Sequence, residues 1–283
     1  MTARSDLFVS PADLAARLGE TSLVIVDASW YMPAQNRSGK AEYAAERIPG
    51  AVHFDIDAVA DHSTDLPHML ASAEAFAAAA GALGISDGAS IVVYDGAGLF
   101  SAPRVWWNLV VYGARDVKIL DGGLPAWKAA GLPLDTAAPT PRAPATFTVK
   151  IDTGRIADLD AVVGVLADRS ATVVDARSAE RFRGEAAEPR AGLRAGHMPG
   201  ARNVPHSAIV KDGRLADDAT LAAAFAEVDR TKPIVTSCGS GVSAAILWVA
   251  LETLGVPRAK LALYDGSWTE WGGAPGTTVV TGP

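Results

Sequence analysis

One side chain in this sequence stands out for its chemistry. Cys238 is the only thiol among 283 residues. Before it runs Ile234-Val235-Thr236, a short apolar β-prone stretch that reads as a buried strand. After it come Gly239, Ser240, Gly241, Val242 and Ser243, in an apolar segment that continues to Leu254 with one charge, Glu252. The part from Val242 onward reads as a helix buried on most faces. Two glycines let backbone N–H groups turn inward into a concave nest. The helix N-terminus behind them adds partial positive charge. A thiol held there is expected to lose its proton more readily than a free one, and the thiolate is the nucleophile. The competing reading is an inert buried cysteine at a strand end. The flanking glycines and the following helix favour chemistry.

The elements that must position this loop follow from pattern and punctuation. Ser10-Pro11 reads as an N-cap with proline at the first helical position, opening a helix to about residue 18. Residues 23–26 are a β-prone run ending at Asp27, and residues 42–47 are expected to be helical. Ser72 caps an alanine-rich helix to about 83, residues 90–94 form a strand, and 101–112 form a helix. Residues 117–120 form another strand, and Asp121-Gly122-Gly123 turns into a short helix around Trp127. Residues 135–148 hold three prolines and little periodicity, and read as an extended connection.

Beyond it the pattern recurs. Val24-Ile25-Val26-Asp27-Ala28 matches Thr172-Val173-Val174-Asp175-Ala176, and Ile48-Pro49-Gly50-Ala51 matches Met198-Pro199-Gly200-Ala201. Residues 91–95 match 234–238, and Leu120-Asp121-Gly122-Gly123 with Trp127 matches Tyr264-Asp265-Gly266-Ser267 with Trp271. This is an internal duplication. Strands alternating with helices argue for an α/β fold, each half a mainly parallel sheet with helices on both faces. The expected domains are 1–135 and 151–283, with 136–150 as the linker. Ligands sit beyond the carboxyl ends of such strands, where Cys238 lies. The matching position in the first half is Asp95, so one half is expected to be catalytic and the other supportive.

The loop Cys238-Gly-Ser-Gly-Val-Ser243 resembles the active-site loop of the rhodanese superfamily, in the C-G-S-G-V-T form of its mercaptopyruvate sulfurtransferases. Ser243 replaces the threonine and keeps the hydroxyl. The resemblance covers nearly the whole chain. It implies tandem rhodanese-like domains, the first inactive, with the site at their interface. Arg181-Phe182-Arg183-Gly184 and Glu188-Pro189-Arg190 are similar to the family's R-F-R-G…E-P-R pattern. That likeness implies that Arg181 and Arg190 bind the substrate's carboxylate and keto oxygens, a task suited to arginine's planar fork. The run Phe54-Asp55-Ile56-Asp57…His68-Met69-Leu70 resembles the segment whose aspartate and histidine join the loop serine in handling protons. The matching residues are Asp57, His68 and Ser240. Gly239, Gly241, Val242 and Ser243 complete the expected cradle. The implied activity moves sulfur from 3-mercaptopyruvate through a Cys238 persulfide to thioredoxin, a small thiol or cyanide, without a cofactor. Thiosulfate is the alternative donor, and a non-catalytic binding module the alternative class. A cysteine phosphatase is excluded, because its longer loop closes on arginine where Ala244 stands.

The rest of the sequence narrows the choices. Hydrophobic residues make up 49% and charged residues 20%, which marks a folded chain rather than a disordered one. A net charge of −7 without a Lys/Arg cluster speaks against nucleic acid and anionic membranes. A lone cysteine allows no internal disulfide, and any oxidised Cys238 must be relieved by a second molecule. The five histidines show no metal-ligand spacing. His197 is expected to be structural, and His53, His62 and His206 have no supporting context. Trp106, Trp107, Trp268 and Trp271 are expected to pack. Asp121-Gly122-Gly123 and Asp265-Gly266-Ser267 only look like phosphate loops. A monomeric, cytoplasmic protein is expected.

Overall fold

The computed structural model describes residues 3–283, so the first two residues of the expected first domain lie outside it. The first half holds strands β1 (Phe8–Val9), β2 (Leu23–Asp27), β3 (Val52–His53), β4 (Ser90–Tyr94) and β5 (Asp116–Leu120). The second holds β6 (Ile156–Ala157), β7 (Thr172–Asp175), β8 (Arg202–Asn203), β9 (Val210–Lys211), β10 (Arg214–Leu215), β11 (Ile234–Ser237) and β12 (Leu261–Tyr264). Each half builds a five-stranded sheet. The orders are β1-β5-β4-β2-β3 and β6-β12-β11-β7-β8, position for position the same. Every pairing within them is parallel. The central strands β2 and β4 are buried along their length, as a parallel sheet covered on both faces requires. The duplicated α/β architecture is therefore as the repeat predicts.

Local chemistry sets the helix starts. Ser10 and Ser72 accept the N–H groups of Asp13 and Ala75, opening Pro11–Ala16 and Ala73–Ala82. The helix expected at 42–47 instead spans Gly39–Ala45, because Ser38 accepts the Ala41 N–H and starts it earlier. The two-residue strands β1, β3, β6 and β8 are too short to show any alternation in sequence.

The two halves share one apolar core. Helices Ala102–Val111 and Ala244–Thr253 are buried throughout most of their length and meet across the interface. Trp107 and Trp248 pack there edge to face, 6.2 Å apart. The lone charge on the second helix, Glu252, is fully buried, and Trp248 Nε1 (2.7 Å) and the Arg258 fork (2.6 and 2.8 Å) donate to it. The proline-rich connection is extended but strapped down. Ala145 N–H donates to Gly81 C=O, Lys150 N–H to Tyr112 C=O, and the Phe147 ring is buried beside Phe76.

Each half also reaches over the other. The segment after β3, carrying Asp57 and His68, lies against the second half, where Leu70 N–H donates to Asp265 (2.8 Å). The antiparallel β9–β10 hairpin of the second half lies against the first. It brings Gly213 close to Gly98 and pairs Arg214 with Asp121. The sequence reading missed this hairpin.

Candidate active site

Cys238 follows β11 directly, at its carboxyl end, and is 2% exposed. The loop after it is held by its carbonyls. Cys238 C=O accepts from Trp268 N–H (3.0 Å), and Gly239 C=O accepts from Thr269 N–H (2.9 Å) and Oγ1 (2.6 Å). Gly241 C=O accepts from Arg104 Nη1 (3.3 Å). Gly241 has φ +79°, and a Cβ there would lie 2.6 Å from Arg104 Nη1, so glycine is required. With the carbonyls engaged outward, the N–H groups of residues 239–243 have no acceptor among the described residues. They are the N–H groups of the expected nest.

The first half shows what this geometry holds. Asp95 follows β4 as Cys238 follows β11, and Leu124 N–H donates to its C=O (3.0 Å) as Trp268 does to Cys238. The Asp95 carboxylate accepts the N–H groups of Ala97, Phe100, Ser101 and Ala102 at 2.8–2.9 Å. The nest thus closes on an anion from its own chain. Counted from Cys238, the first three of those positions are Ser240, Ser243 and Ala244.

In the second half the loop opens on a cavity of about 200 Å³. Arg181, Pro189, Arg190, Cys238, Gly239, Ser240, Val242 and Ser243 line one side, and Trp30, Met32, Pro33, Ala34 and Phe100 of the first half line the other. The two arginines differ in setting. Arg181 is held by Glu188, with Nε–Oε1 at 3.2 Å and Nη2–Oε2 at 2.5 Å. Glu188 is itself buried and shared with Arg177, which also grips Asp175. Arg181 lies over the loop, 3.2 Å from where a Gly239 Cβ would stand. Arg190 makes no ion pair among the described residues. Burial lowers its pKa, while the nearby Cys238 and Asp57 favour its charge and Arg181 opposes it.

Neither Asp57 nor His68 lines the cavity: His68 is buried, and the Asp57 side chain is 59% exposed. His68 is buried at φ +62°, with Nδ1 2.9 Å from Asp57 Oδ1. The contact is short but not aligned as a hydrogen bond, and Nε2 has no partner among the described residues. Trp30 joins the pair to the cavity. Its Nε1–H donates to Asp57 Oδ2 (2.8 Å), and its ring stands edge-on to His68 at 4.8 Å. The Asp57 carboxyl is held below the usual range, first by His68, then by Trp30 and by the charge of Arg190. Burial opposes this. Seven of the ten expected residues therefore meet at one cavity, and Asp57, His68 and Gly241 do not line it.

Three features escaped the sequence reading. Trp30, hidden among seven tryptophans, is the residue that touches both the cavity and Asp57. Arg104, inside an apolar helix and fully buried, donates to Asp265 Oδ1 (2.6 Å), His68 C=O (2.6 Å) and Gly241 C=O (3.3 Å). It ties the His68 segment of one half to the cysteine loop of the other. Asp265, set aside as a phosphate-loop look-alike, is the anion of that tie. A charged residue within an otherwise apolar helix was the signal available. His206 packs against Phe100 at 5.9 Å, and burial lowers its pKa, leaving it neutral at pH 7. His197 is structural as expected, stacked on Phe182 with Nδ1 2.9 Å from its C=O. Trp106, Trp107, Trp268 and Trp271 are all buried. No helix among the described residues is long and apolar enough to cross a membrane.

Comparison with known proteins agrees with this geometry. The rhodanese-like domain family matches residues 10–130 and again 159–274. The chain is 42% identical to the 3-mercaptopyruvate sulfurtransferase of Escherichia coli strain K12, over 94% of both chains. It is 41% identical to the mitochondrial thiosulfate/3-mercaptopyruvate sulfurtransferase 1 of Arabidopsis thaliana, covering 96% of this chain and 77% of that one. The crystal structure of SseA from Escherichia coli superimposes with a TM-score of 0.84 at 41% identity, covering 93% and 99% of the two chains. With two matched domains, one sheet order used twice and a cysteine at the strand end of the second, the chain belongs to the rhodanese family.

Proposed function

We propose that the chain is a sulfurtransferase that takes sulfur from 3-mercaptopyruvate, releases pyruvate and passes the sulfur to an external thiol or cyanide. The observation that carries this reading is the meeting of Cys238, Arg181 and an arginine without an anionic partner in one small cavity. The cavity suits a small anion carrying a sulfur, with its carboxylate and keto oxygens on the arginine forks.

On this reading the chemistry begins at Cys238. The Cys238 thiolate attacks the thiol sulfur of mercaptopyruvate. An S–S bond forms, the C–S bond breaks, and the carbon leaves as the enolate of pyruvate. Arg190 and Arg181 stabilise the negative charge that builds on the keto oxygen. The enolate takes up a proton to give pyruvate, and Ser240 with the His68–Asp57 pair behind it is the proposed source. Cys238 holds the sulfur as a persulfide, with the N–H groups of the loop facing it. A thiolate then attacks the outer sulfur and regenerates Cys238. Two half-reactions through a covalent intermediate predict ping-pong kinetics.

Thiosulfate is a second donor on this reading, supported by the likeness to the Arabidopsis thiosulfate/3-mercaptopyruvate sulfurtransferase. It is expected to be used less well, because Gly239 and Ser240 add no charge to the loop. We also assign residues 1–135 as the non-catalytic domain, 136–150 as the linker and 151–283 as the catalytic domain. A monomer is proposed because one chain supplies every residue of the cavity, and a cytoplasmic location is retained as a proposal. The test is intact-protein mass after mixing with 3-mercaptopyruvate and no acceptor, beside Cys238→Ser. Gain of one sulfur in the parent alone, with matching pyruvate, supports the reading. Gain from thiosulfate only makes the chain a thiosulfate enzyme, and gain from neither makes it a binding module.

A further inference from the structure

The duplicated halves act as controls for each other, and one difference between them falls beside Cys238. Ser267 is fully buried with φ +48°, a left-handed conformation that disfavours any residue bearing a Cβ. The first half has Gly123 at this place, with φ +55°. The match rests on Asp121-Gly122-Gly123 against Asp265-Gly266-Ser267, and on the next residue in each. Leu124 N–H donates to Asp95 C=O and Trp268 N–H to Cys238 C=O, both at 3.0 Å. A Cβ on Gly123 would stand 2.5 Å from Asp95 O and 2.8 Å from Gly98 Cα. The first half has no room for a side chain here, whereas the second has made room for one.

The Ser267 hydroxyl has two partners. Oγ accepts the Cys238 N–H at 3.2 Å and donates to Tyr264 C=O at 2.8 Å. Consecutive residues therefore hold both polar ends of the cysteine: Ser267 its N–H, Trp268 its C=O.

The geometry points to Ser267 as a positioning residue for sulfur transfer. Its hydroxyl fixes the Cys238 peptide, and with it the direction of Sγ toward the cavity, and the left-handed backbone is retained for the sake of that hydroxyl. The proposal rests on the sulfurtransferase reading, but the test also reads the thiol directly. Ser267→Gly removes the hydroxyl and relaxes the backbone, while Ser267→Ala removes the hydroxyl and keeps the strain. The expected result is that Ser267→Gly melts at or above the parent temperature. In both variants the rate of Cys238 alkylation by iodoacetamide and the kcat for pyruvate release fall about tenfold, the worth of one neutral hydrogen bond. The KM for mercaptopyruvate stays within about twofold, since Arg181 and Arg190 are untouched. Alkylation and turnover within twofold of the parent in either variant would overturn the proposal, and so would a loss confined to Ser267→Gly. A parent protein inactive on mercaptopyruvate would instead count against the donor, and the alkylation rates would still decide the role of Ser267.

Discussion

Arg190 and Arg181 carry the same charge into the cavity but not the same obligations. Arg181 is braced by a carboxylate that also serves Arg177, so its fork is fixed before a ligand arrives. Arg190 makes no ion pair among the described residues and has the diffuse field of Cys238, Asp57 and Glu188 instead. Replacing Arg190 by Met is expected to raise the KM for mercaptopyruvate about ten- to a hundredfold, the value of a charged hydrogen bond, with the fold intact. Initial rates and a melting curve check this together. The carboxyl of Asp57 gives a second prediction. Its pKa is depressed in the fold, so the ionised form persists as pH falls past the ordinary carboxylate value and is lost only at the lower folded one. Trp30→Phe keeps the ring and removes one donor. The acid limb of the pyruvate-release profile should then move to higher pH, toward the ordinary carboxylate range. An unchanged limb would remove Asp57 from the proton path. At this scale the sequence was informative where a side chain is rare or sits in a motif. Cys238 and the loop glycines could be read from residue type and spacing, and Arg181 and Arg190 only through the likeness of their motif to the family's. Trp30 and Ser267 could not, because their roles depend on groups more than twenty residues away, met only after folding.

Between elements, the Arg104–Asp265 pair sets the geometry of the site. Both side chains are almost wholly buried, one on the first half's interface helix and the other after β12 of the second half. Such a pair adds little to stability over an apolar replacement, but breaking it leaves a buried charge. Arg104→Met is expected to cost about 3–5 kcal/mol in denaturant unfolding. The double variant Arg104→Met with Asp265→Leu should recover more than half of that, and yet remain slow in turnover, because His68 C=O and Gly241 C=O lose their common donor. Recovery of both stability and rate would reduce the pair to packing. The longer elements were legible from periodicity and caps, as with Ser72 and the strand 90–94. Two-residue strands carry no period, and the one local signal for the β9–β10 hairpin was its turn, Asp212-Gly213, both residues left-handed as a two-residue hairpin loop requires, which the sequence reading passed over.

For the whole molecule, the shared core decides how the halves behave. One apolar cluster runs from Leu7 through both interface helices to Leu263, and Phe147 of the connection is sealed into it. Urea unfolding followed by tryptophan fluorescence and by far-UV circular dichroism should therefore give coincident single transitions. Two separated transitions would mean that the halves fold on their own. The duplication was plain in sequence, but the fusion was not, since the segment 135–148 reads locally as a spacer. Asp95 has a further consequence. Its carboxylate is a ligand on a tether, present at a fixed and high effective concentration, so the first half is permanently saturated. The matching loop at Cys238 has no tether. On the proposed function, its share of the free energy follows mass action and grows with the concentration of the anionic substrate. The two copies of one fold thus differ in linkage: one is indifferent to the surrounding solution, and the other is governed by it.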